Sequence, residues 1–374
     1  MGAPLRRIFR VTRHGRFAAA VRILSVVGNR PQFVKSAPVS LAFKERGVDE
    51  TLLHTGQHYD PELSQVFFEE LKLDPPARQL EAGSGTHAEQ LARMLPGIEQ
   101  AAVEERSDWV LVYGDTNSTL AGALAGAKAG FRVAHVEAGL RSFDLTMPEE
   151  LNRMVVDRVS ALLFAPAEAA VTNLRREGIV EGVRVVGDVM LDANLRLAPI
   201  ARARSQALAE TGVELGGYAL ATVHREANVR EPALGGIVEA LNALEETVVF
   251  PLHPRTAAAI EEQGHRLGGH VHARPPLGYL DFAALASQAR VILTDSGGVQ
   301  KEAYWYGVPC VTLRENTEWV ETVELGWNRL AGTDPQRIIE EARAARAPVQ
   351  HPPLYGDGHA ADSIADLICT IDRE

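Results

Sequence analysis

The chain has 374 residues, of which 46% are apolar, 23% charged and 6% aromatic; this excludes a disordered, collagen-like or disulfide-stapled protein and leaves room for two domains, each with its own core. Its 38 Lys and Arg stand against 49 Asp and Glu, and the resulting net charge of −11 excludes a broad basic face for nucleic acid but not a local anion site. Cys310 and Cys369 both lie in apolar sequence and read as buried, reduced thiols of a cytosolic protein.

Residues 1–20 carry Arg6, Arg7, Arg10, Arg13 and Arg16 with no acid and no apolar stretch of signal-peptide length, and read as a disordered basic extension. Without those five arginines the net charge falls from −11 to −16. No run of 18 apolar residues occurs anywhere, so no membrane-spanning helix is expected and the expected location is the cytoplasm. From Val21 onward, short Val/Ile/Leu-rich runs alternate with stretches of helical period, the signature of a parallel sheet. Val21–Val27 predicts a buried strand, followed by the turn Gly28-Asn29-Arg30-Pro31 and a helix that ends at Gly47. Thr51–Leu53, Trp109–Tyr113, Val133–Val136, Leu162–Phe164 and Val183–Val186 predict five further strands. These six make one doubly wound domain, assigned to residues 21–195. The pattern restarts at Tyr218–Val223 and continues through Val248–Leu252, Val271–Ala273, Val291–Thr294 and Cys310–Leu313, a second domain of similar build over residues 196–374. The last helix, near Ala360–Ile371, has an apolar face that must be covered, and a return to the first domain is one way to cover it.

Ligands of open parallel sheets bind beyond the carboxyl ends of the strands, and here the loops at those ends are polar. Arg30 and Lys35 flank the first helix start, an arrangement suited to an anion. Asp115 follows Trp109–Tyr113, either as a helix cap or as a functional acid; Glu137 directly abuts Val133–Val136, and Glu149 and Glu150 sit in the first turn of a helix. If Asp115, Glu137 and Glu149 meet at one sheet edge, like charge raises the pKa of at least one and equips it for proton transfer. The twelve histidines show no paired ligand spacing beside these acids, so no metal and no cofactor is expected. In the second domain His224-Arg225 and His253-Pro254-Arg255 each follow a strand. Thr294-Asp295-Ser296-Gly297-Gly298-Val299-Gln300-Lys301-Glu302 combines a strand end, a Gly-Gly turn and a helix start, so a diphosphate can rest on the turn, with Glu302 one turn further on for a ribose and Arg314 after the next strand as another cation. Together these readings give a nucleotide-sugar enzyme with its site in an interdomain cleft.

Gly28-Asn29-Arg30-Pro31-Gln32-Phe33-Val34-Lys35, His54-Thr55-Gly56-Gln57-His58, Gly114-Asp115-Thr116, His135-Val136-Glu137-Ala138-Gly139-Leu140-Arg141, Pro148-Glu149-Glu150-Leu151-Asn152-Arg153, Asp295-Ser296-Gly297-Gly298 and Thr317-Glu318 stand in the order and spacing of the non-hydrolysing UDP-N-acetylglucosamine 2-epimerases, which the chain resembles from about residue 21 to its end. The resemblance implies two Rossmann-like domains of the GT-B type around a cleft. It also implies a homodimer working in cell-surface polysaccharide biosynthesis, and interconversion of UDP-N-acetylglucosamine and UDP-N-acetylmannosamine through elimination of UDP to a 2-acetamidoglucal. By position, Asp115, Glu137, Glu149 and His224 correspond to the catalytic group. Arg30, Lys35, Ser296, Gly297 and Gly298 correspond to the phosphate contacts, Glu302 to the ribose contact, and Arg314, Leu277 and Phe282 to the flank of the nucleotide. Gln57, Arg225 and His253 match positions of a second, activating UDP-N-acetylglucosamine site. The chain departs from the family pattern at Arg225-Glu226-Ala227-Asn228, at Asn29 and at His58-Tyr59-Asp60.

Two alternatives keep the same fold. Motifs including Thr317-Glu318-Trp319-Val320-Glu321 also resemble the UDP-2,3-diacetamido-2,3-dideoxy-glucuronate 2-epimerases, whose substrate carboxylate calls for a cation such as Arg141 or Arg255 near the sugar. A GT-B glycosyltransferase would share the diphosphate turn but has no need of clustered carboxylates.

Overall fold

The computed structural model describes residues 20–57 and 75–371; nearly all of the basic segment 1–20 and the His58-Tyr59-Asp60 motif lie outside them. Two parallel sheets are present. The first contains β1 (Arg22–Val27), β2 (Asp49–His54), β3 (Arg78–Gln79), β4 (Trp109–Tyr113), β5 (Arg132–Val136), β6 (Leu162–Ala165) and β7 (Val183–Val185) in the order β3-β2-β1-β4-β5-β6-β7. The second contains β8 (Tyr218–Thr222), β9 (Thr247–Pro251), β10 (Val271–Arg274), β11 (Val291–Thr294), β12 (Cys310–Thr312) and β13 (Asn328–Leu330) in the order β10-β9-β8-β11-β12-β13. Each sheet therefore reverses strand order once, between β1 and β4 and between β8 and β11, and a crevice opens at each reversal. Each sheet has one strand more than the sequence pattern predicts. The extra strands β3 and β13 are short and polar, and close one edge of each sheet, where a strand need not be apolar on both faces.

Inside each sheet the apolar runs become strands because both of their faces are covered. On the first sheet Ile23, Leu111 and Val136 point to one side, towards α1 (Arg30–Glu45), while Leu24, Val110 and Val112 point to the other, towards α2 (His87–Glu104) and α3 (Asn117–Lys128). The start of α1 explains the departure at Asn29: its side-chain oxygen accepts from the Gln32 backbone N–H at 3.1 Å, Pro31 occupies the first turn, and the chain leaves the helix through Gly47 at φ +68°. Gly28 is required for a different reason. A Cβ there would lie 1.9 Å from Ser118 Oγ and 2.4 Å from Thr55 Oγ1.

Two elements join the halves. The helix α6 (Val189–Arg204) carries the chain unbroken from the first sheet towards the second and packs Ala193, Leu197 and Ala201 between Val34 and Ala37 of α1 and Tyr279, Leu280 and Ala283 of α10 (Tyr279–Ala286). The terminal helix α14 (Ala360–Ile371) returns to the first sheet, burying Ala361, Ile364, Ala365 and Ile368 beside Phe43 and Trp109. Arg46 at the end of α1 fixes this return through Asp362 at 3.1 Å and Asp366 at 2.7 Å.

Since Ile364 is fully buried, Ile364→Ala should lower the unfolding free energy by about 2–5 kcal/mol, whereas Val349→Ala, at a fully exposed site, should stay within about 0.5 kcal/mol. Urea denaturation of the two variants checks this, and equal effects would show that α14 is not part of the first core.

Candidate functional site

A cavity of about 760 Å³ lies between the halves, lined by residues that follow β1, β5 and β7 on one side and β8 and β11 on the other. From the first half it receives Lys35, Glu137, Arg153 and Asp188; from the second, His224, Leu277, Phe282, Ser296, Gly297, Gly298, Lys301 and Glu302. Arg30 opens α1 at the mouth of the first crevice, and its side chain lies outside the described residues.

Glu137 is constrained in backbone and side chain alike. It ends β5 at φ +74°, a left-handed conformation that costs a non-glycine residue about 1–3 kcal/mol, and its N–H and that of Ala138 both donate to the Phe164 carbonyl at 3.1 Å. Its carboxylate is desolvated, contacts Lys35 Nζ, and lies 3.8 Å from Lys301 Nζ. Burial by itself would raise its pKa, but Lys35, Lys301 and Arg153 outweigh that and hold it at about 2. The same partnership holds Lys35 above the ordinary lysine value despite its burial, with Asp115 and Asp188 adding to the effect of Glu137. Gly114, at φ +64°, makes room for the pair, since a Cβ there would come within 3.2 Å of Lys35 Nζ and 3.5 Å of Glu137 Oε2.

This corrects the expectation of a proton-sharing cluster of like charges. Of the three acids, Glu137 alone lines the cavity, and its neighbours are cations. Asp115 does not cap α3; Thr116 does, and Asp115 instead accepts from Arg153 Nη2 at 2.5 Å. Glu149 is exposed in the first turn of α4 (Pro148–Val159) and does not line the cavity. Its neighbour Glu150 is the buried acid there, accepting from the backbone N–H groups of Ser142 and Phe143 and from Arg153 Nη1, each at 3.0 Å.

A wholly buried polar network stiffens the two loops. His135 Nδ1 meets Asp157 Oδ1 and Nε2 meets the Gly114 carbonyl, both at 2.7 Å, while Asp157 Oδ2 accepts from Gly139 N at 3.1 Å and pairs with Arg141 Nη1 at 2.8 Å. Arg141 also pairs with Glu177, so its charge is committed to the scaffold rather than offered to a ligand.

In the second half Ser296 caps α11 (Gly297–Tyr306), accepting from Val299 N at 3.5 Å, and the Gly297 carbonyl accepts from Trp319 Nε1 at 2.8 Å. Ser296, Gly297, Gly298 and Val299 of this helix start line the cavity, and a helix N-terminus suits an anion. His224 is half-exposed on the cavity wall and oriented by a residue given no role in the sequence reading: Asp295, fully buried, meets His224 Nδ1 at 3.0 Å and accepts from the N–H groups of His224 and Arg225. Burial would raise the Asp295 pKa, yet these donors bring it below the usual range. Arg314 does not line the cavity; both of its terminal nitrogens pair with Glu318 at 3.0 Å. Gln57 accepts from Ser118, Arg225 approaches Glu318 at 3.9 Å, and His253 caps α9 (Pro254–Glu262), all three outside the cavity lining. Arg255 is exposed and likewise outside it.

Sequence reading gave no role to Lys301 and Asp188, whose ion pair of 2.5 Å is almost fully buried at the cavity wall. A signal existed. Only five of the 38 basic residues are lysines, and two of them, Lys35 and Lys301, converge on Glu137.

A model of the UDP-N-acetylglucosamine 2-epimerase family matches residues 42–369. The chain belongs to that family. Like its other members this epimerase is an isomerase, and its relatives match most of its length. A UDP-N-acetylglucosamine 2-epimerase homolog of Methanococcus maripaludis is 45% identical over 93% of this chain and 99% of its own. A UDP-2,3-diacetamido-2,3-dideoxy-D-glucuronate 2-epimerase of Pseudomonas aeruginosa is 44% identical over 94% and 100%. The crystal structure of the Methanocaldococcus jannaschii UDP-GlcNAc 2-epimerase with UDP-GlcNAc and UDP superposes with a TM-score of 0.83 at 39% identity, covering 94% of this chain and all of that one. Two parallel sheets facing each other across a cleft are thus the epimerase's GT-B-like fold.

The site's carboxylates set its acid stability. Asp157, Asp295 and Glu137 all have depressed values in the folded state, so their contribution is complete above about pH 4, the unfolded carboxylate range, and is lost as pH falls through the folded values. Asp295→Asn should therefore be less stable than the parent at neutral pH, with the gap narrowing below about pH 4. Urea midpoints across that range check it; a gap independent of pH would show that the Asp295 charge does not matter.

Proposed function

We propose that this epimerase inverts C2 of UDP-N-acetylglucosamine, giving UDP-N-acetylmannosamine, by eliminating UDP and adding it back. Glu137 takes the C2 proton while the C1–O bond breaks, its electron pair leaving with UDP, and a C1=C2 double bond forms in a 2-acetamidoglucal. UDP oxygen then re-forms the bond to C1 as a proton is delivered to the opposite face of C2. The observation that carries this reading is one ionised, cation-held carboxylate on the wall of the cavity that the helix start at Ser296-Gly297-Gly298 also lines. A C2 hydrogen with no carbonyl beside it needs a positioned base together with stabilisation of the departing diphosphate, for which the α11 N–H groups, Lys301 and the oriented His224 are at hand. Glu302, Leu277 and Phe282 line the same cavity and would receive the nucleoside.

The 44% identity to the Pseudomonas enzyme supports a second reading, with the diacetamido uronate as substrate. Arg141 and Arg255 do not serve its carboxylate here, the first being bound by Asp157 and Glu177 and the second lying outside the cavity. A homodimer is supported by Leu151, Met154 and Val155, exposed along one side of α4.

With UDP-N-acetylglucosamine in D2O, NMR should show deuterium entering C2 as the manno epimer grows; an inert sugar and turnover of the diacetamido uronate alone would favour the second reading. Glu137→Gln should stop C2 exchange while UDP still binds, and wild-type exchange would remove Glu137 from its role. Ser296→Ala should weaken UDP binding by about 1–2 kcal/mol in a calorimetric titration, and an unchanged Kd would count against the diphosphate turn.

A further inference from the structure

Lys301 is used in the mechanism above only as a cation for the leaving group, yet its surroundings are more elaborate than that requires. Its ammonium is almost fully buried, 2.5 Å from Asp188, 3.8 Å from Glu137 Oε1 and 4.3 Å above the Trp319 ring, with Trp305 at 5.5 Å. Each partner comes from a different element: Asp188 heads α6, Glu137 ends β5, and Trp319 lies in the loop after β12. Lys301 itself sits on α11, in the second half of the molecule, whereas Glu137 belongs to the first.

We propose that Lys301 is a positioning residue for the epimerisation: anchored on Asp188 and shelved on Trp319, it reaches across the cleft and keeps Glu137 ionised and aimed at the cavity. The proposal rests on the reading of Glu137 as the group that takes the C2 proton. Glu137 is faced by Lys35 from α1, Arg153 from α4 and Lys301 from α11, while Asp115 and Asp188 stand behind the lysines as opposing charge. Lys35 and Arg153 reach Glu137 from its own half. Among the described residues Lys301 is the cation that reaches it from the second half, so it is the one through which that half acts on the carboxylate. Asp188 matters because an unanchored lysine would follow solvent or the diphosphate; the ion pair and the Trp319 face hold it where Glu137 needs it. Asp188 Oδ1 is in turn fixed by the Met190 N–H at 2.9 Å, so the anchor is part of a helix cap.

The test is the pH dependence of C2 hydrogen exchange on the UDP-sugar the enzyme turns over, for the parent, Lys301→Gln and Lys301→Arg, with Glu137→Gln as control. In the parent, exchange should hold level down to the pH at which the fold is lost. Lys301→Gln should bring an acid limb into the range where the protein is folded, moving it upward by about one pH unit or more, and Lys301→Arg should restore the level profile. A residue that only supports the fold would lower the rate without moving the limb, so a level profile in Lys301→Gln overturns the proposal. If Lys301→Gln does not fold because Asp188 is left unpaired, Lys301→Gln with Asp188→Asn removes both charges and should show the same limb; a level profile there also overturns it. The two readings fail separately. Wild-type exchange in Glu137→Gln defeats Glu137 as base, whereas an inert Glu137→Gln beside a level Lys301→Gln profile defeats Lys301 alone.

Discussion

A carboxylate out of water must be paired, and the pairing of Glu137 organises this molecule. Removing one partner from a buried ion pair costs about 3–5 kcal/mol, so Lys35 and Lys301 are as much a condition of the folded cleft as of its chemistry. The constraint reaches outward in steps. Gly114 leaves space for the pair, the left-handed backbone at residue 137 turns the side chain off the end of β5, and the buried His135, Asp157 and Arg141 hold the loops on either side. The strain at Glu137 persists because these hydrogen bonds over-determine its position.

The same pairing ties the two halves together. The apolar seam of α1, α6 and α10 gives the halves a common core but no charge preference. The Asp188, Lys301 and Glu137 chain adds the electrostatic part, crossing the cleft along the wall of the cavity. In a protein of net charge −11 such local placement of cations is what the proposed anionic nucleotide would need against the field of the whole. Helix N-termini contribute in the same direction, and the Ser296-Gly297-Gly298 turn offers one without adding a charged side chain.

Much of this was legible in the chain. Apolar runs identify themselves, and eleven of the thirteen strands among the described residues follow from them; β3 and β13 escaped because edge strands such as Arg78–Gln79 need not be apolar. The residues after β1, β8 and β11 were legible for a topological reason, since strand ends at a sheet's reversal point open onto the crevice. Glu149 and Arg314 show where that reasoning stops. One is a first-turn acid turned to solvent, the other a cation taken by Glu318 four residues on, and neither fate is visible in spacing along the sequence.

The sequence by itself determined the two-sheet α/β architecture, the family, and which loops carry polar chemistry, because hydrophobic period and strand-end position are local properties of the chain. Only the tertiary structure decided the charge state of the site. Whether Glu137 meets other acids or two lysines depends on α1 and α11, which lie about 100 and 160 residues away in opposite directions and approach it only after both sheets have formed. A pKa is set by what surrounds a group in space, and at Glu137 that turned an expected cluster of repelling acids into one carboxylate held between cations.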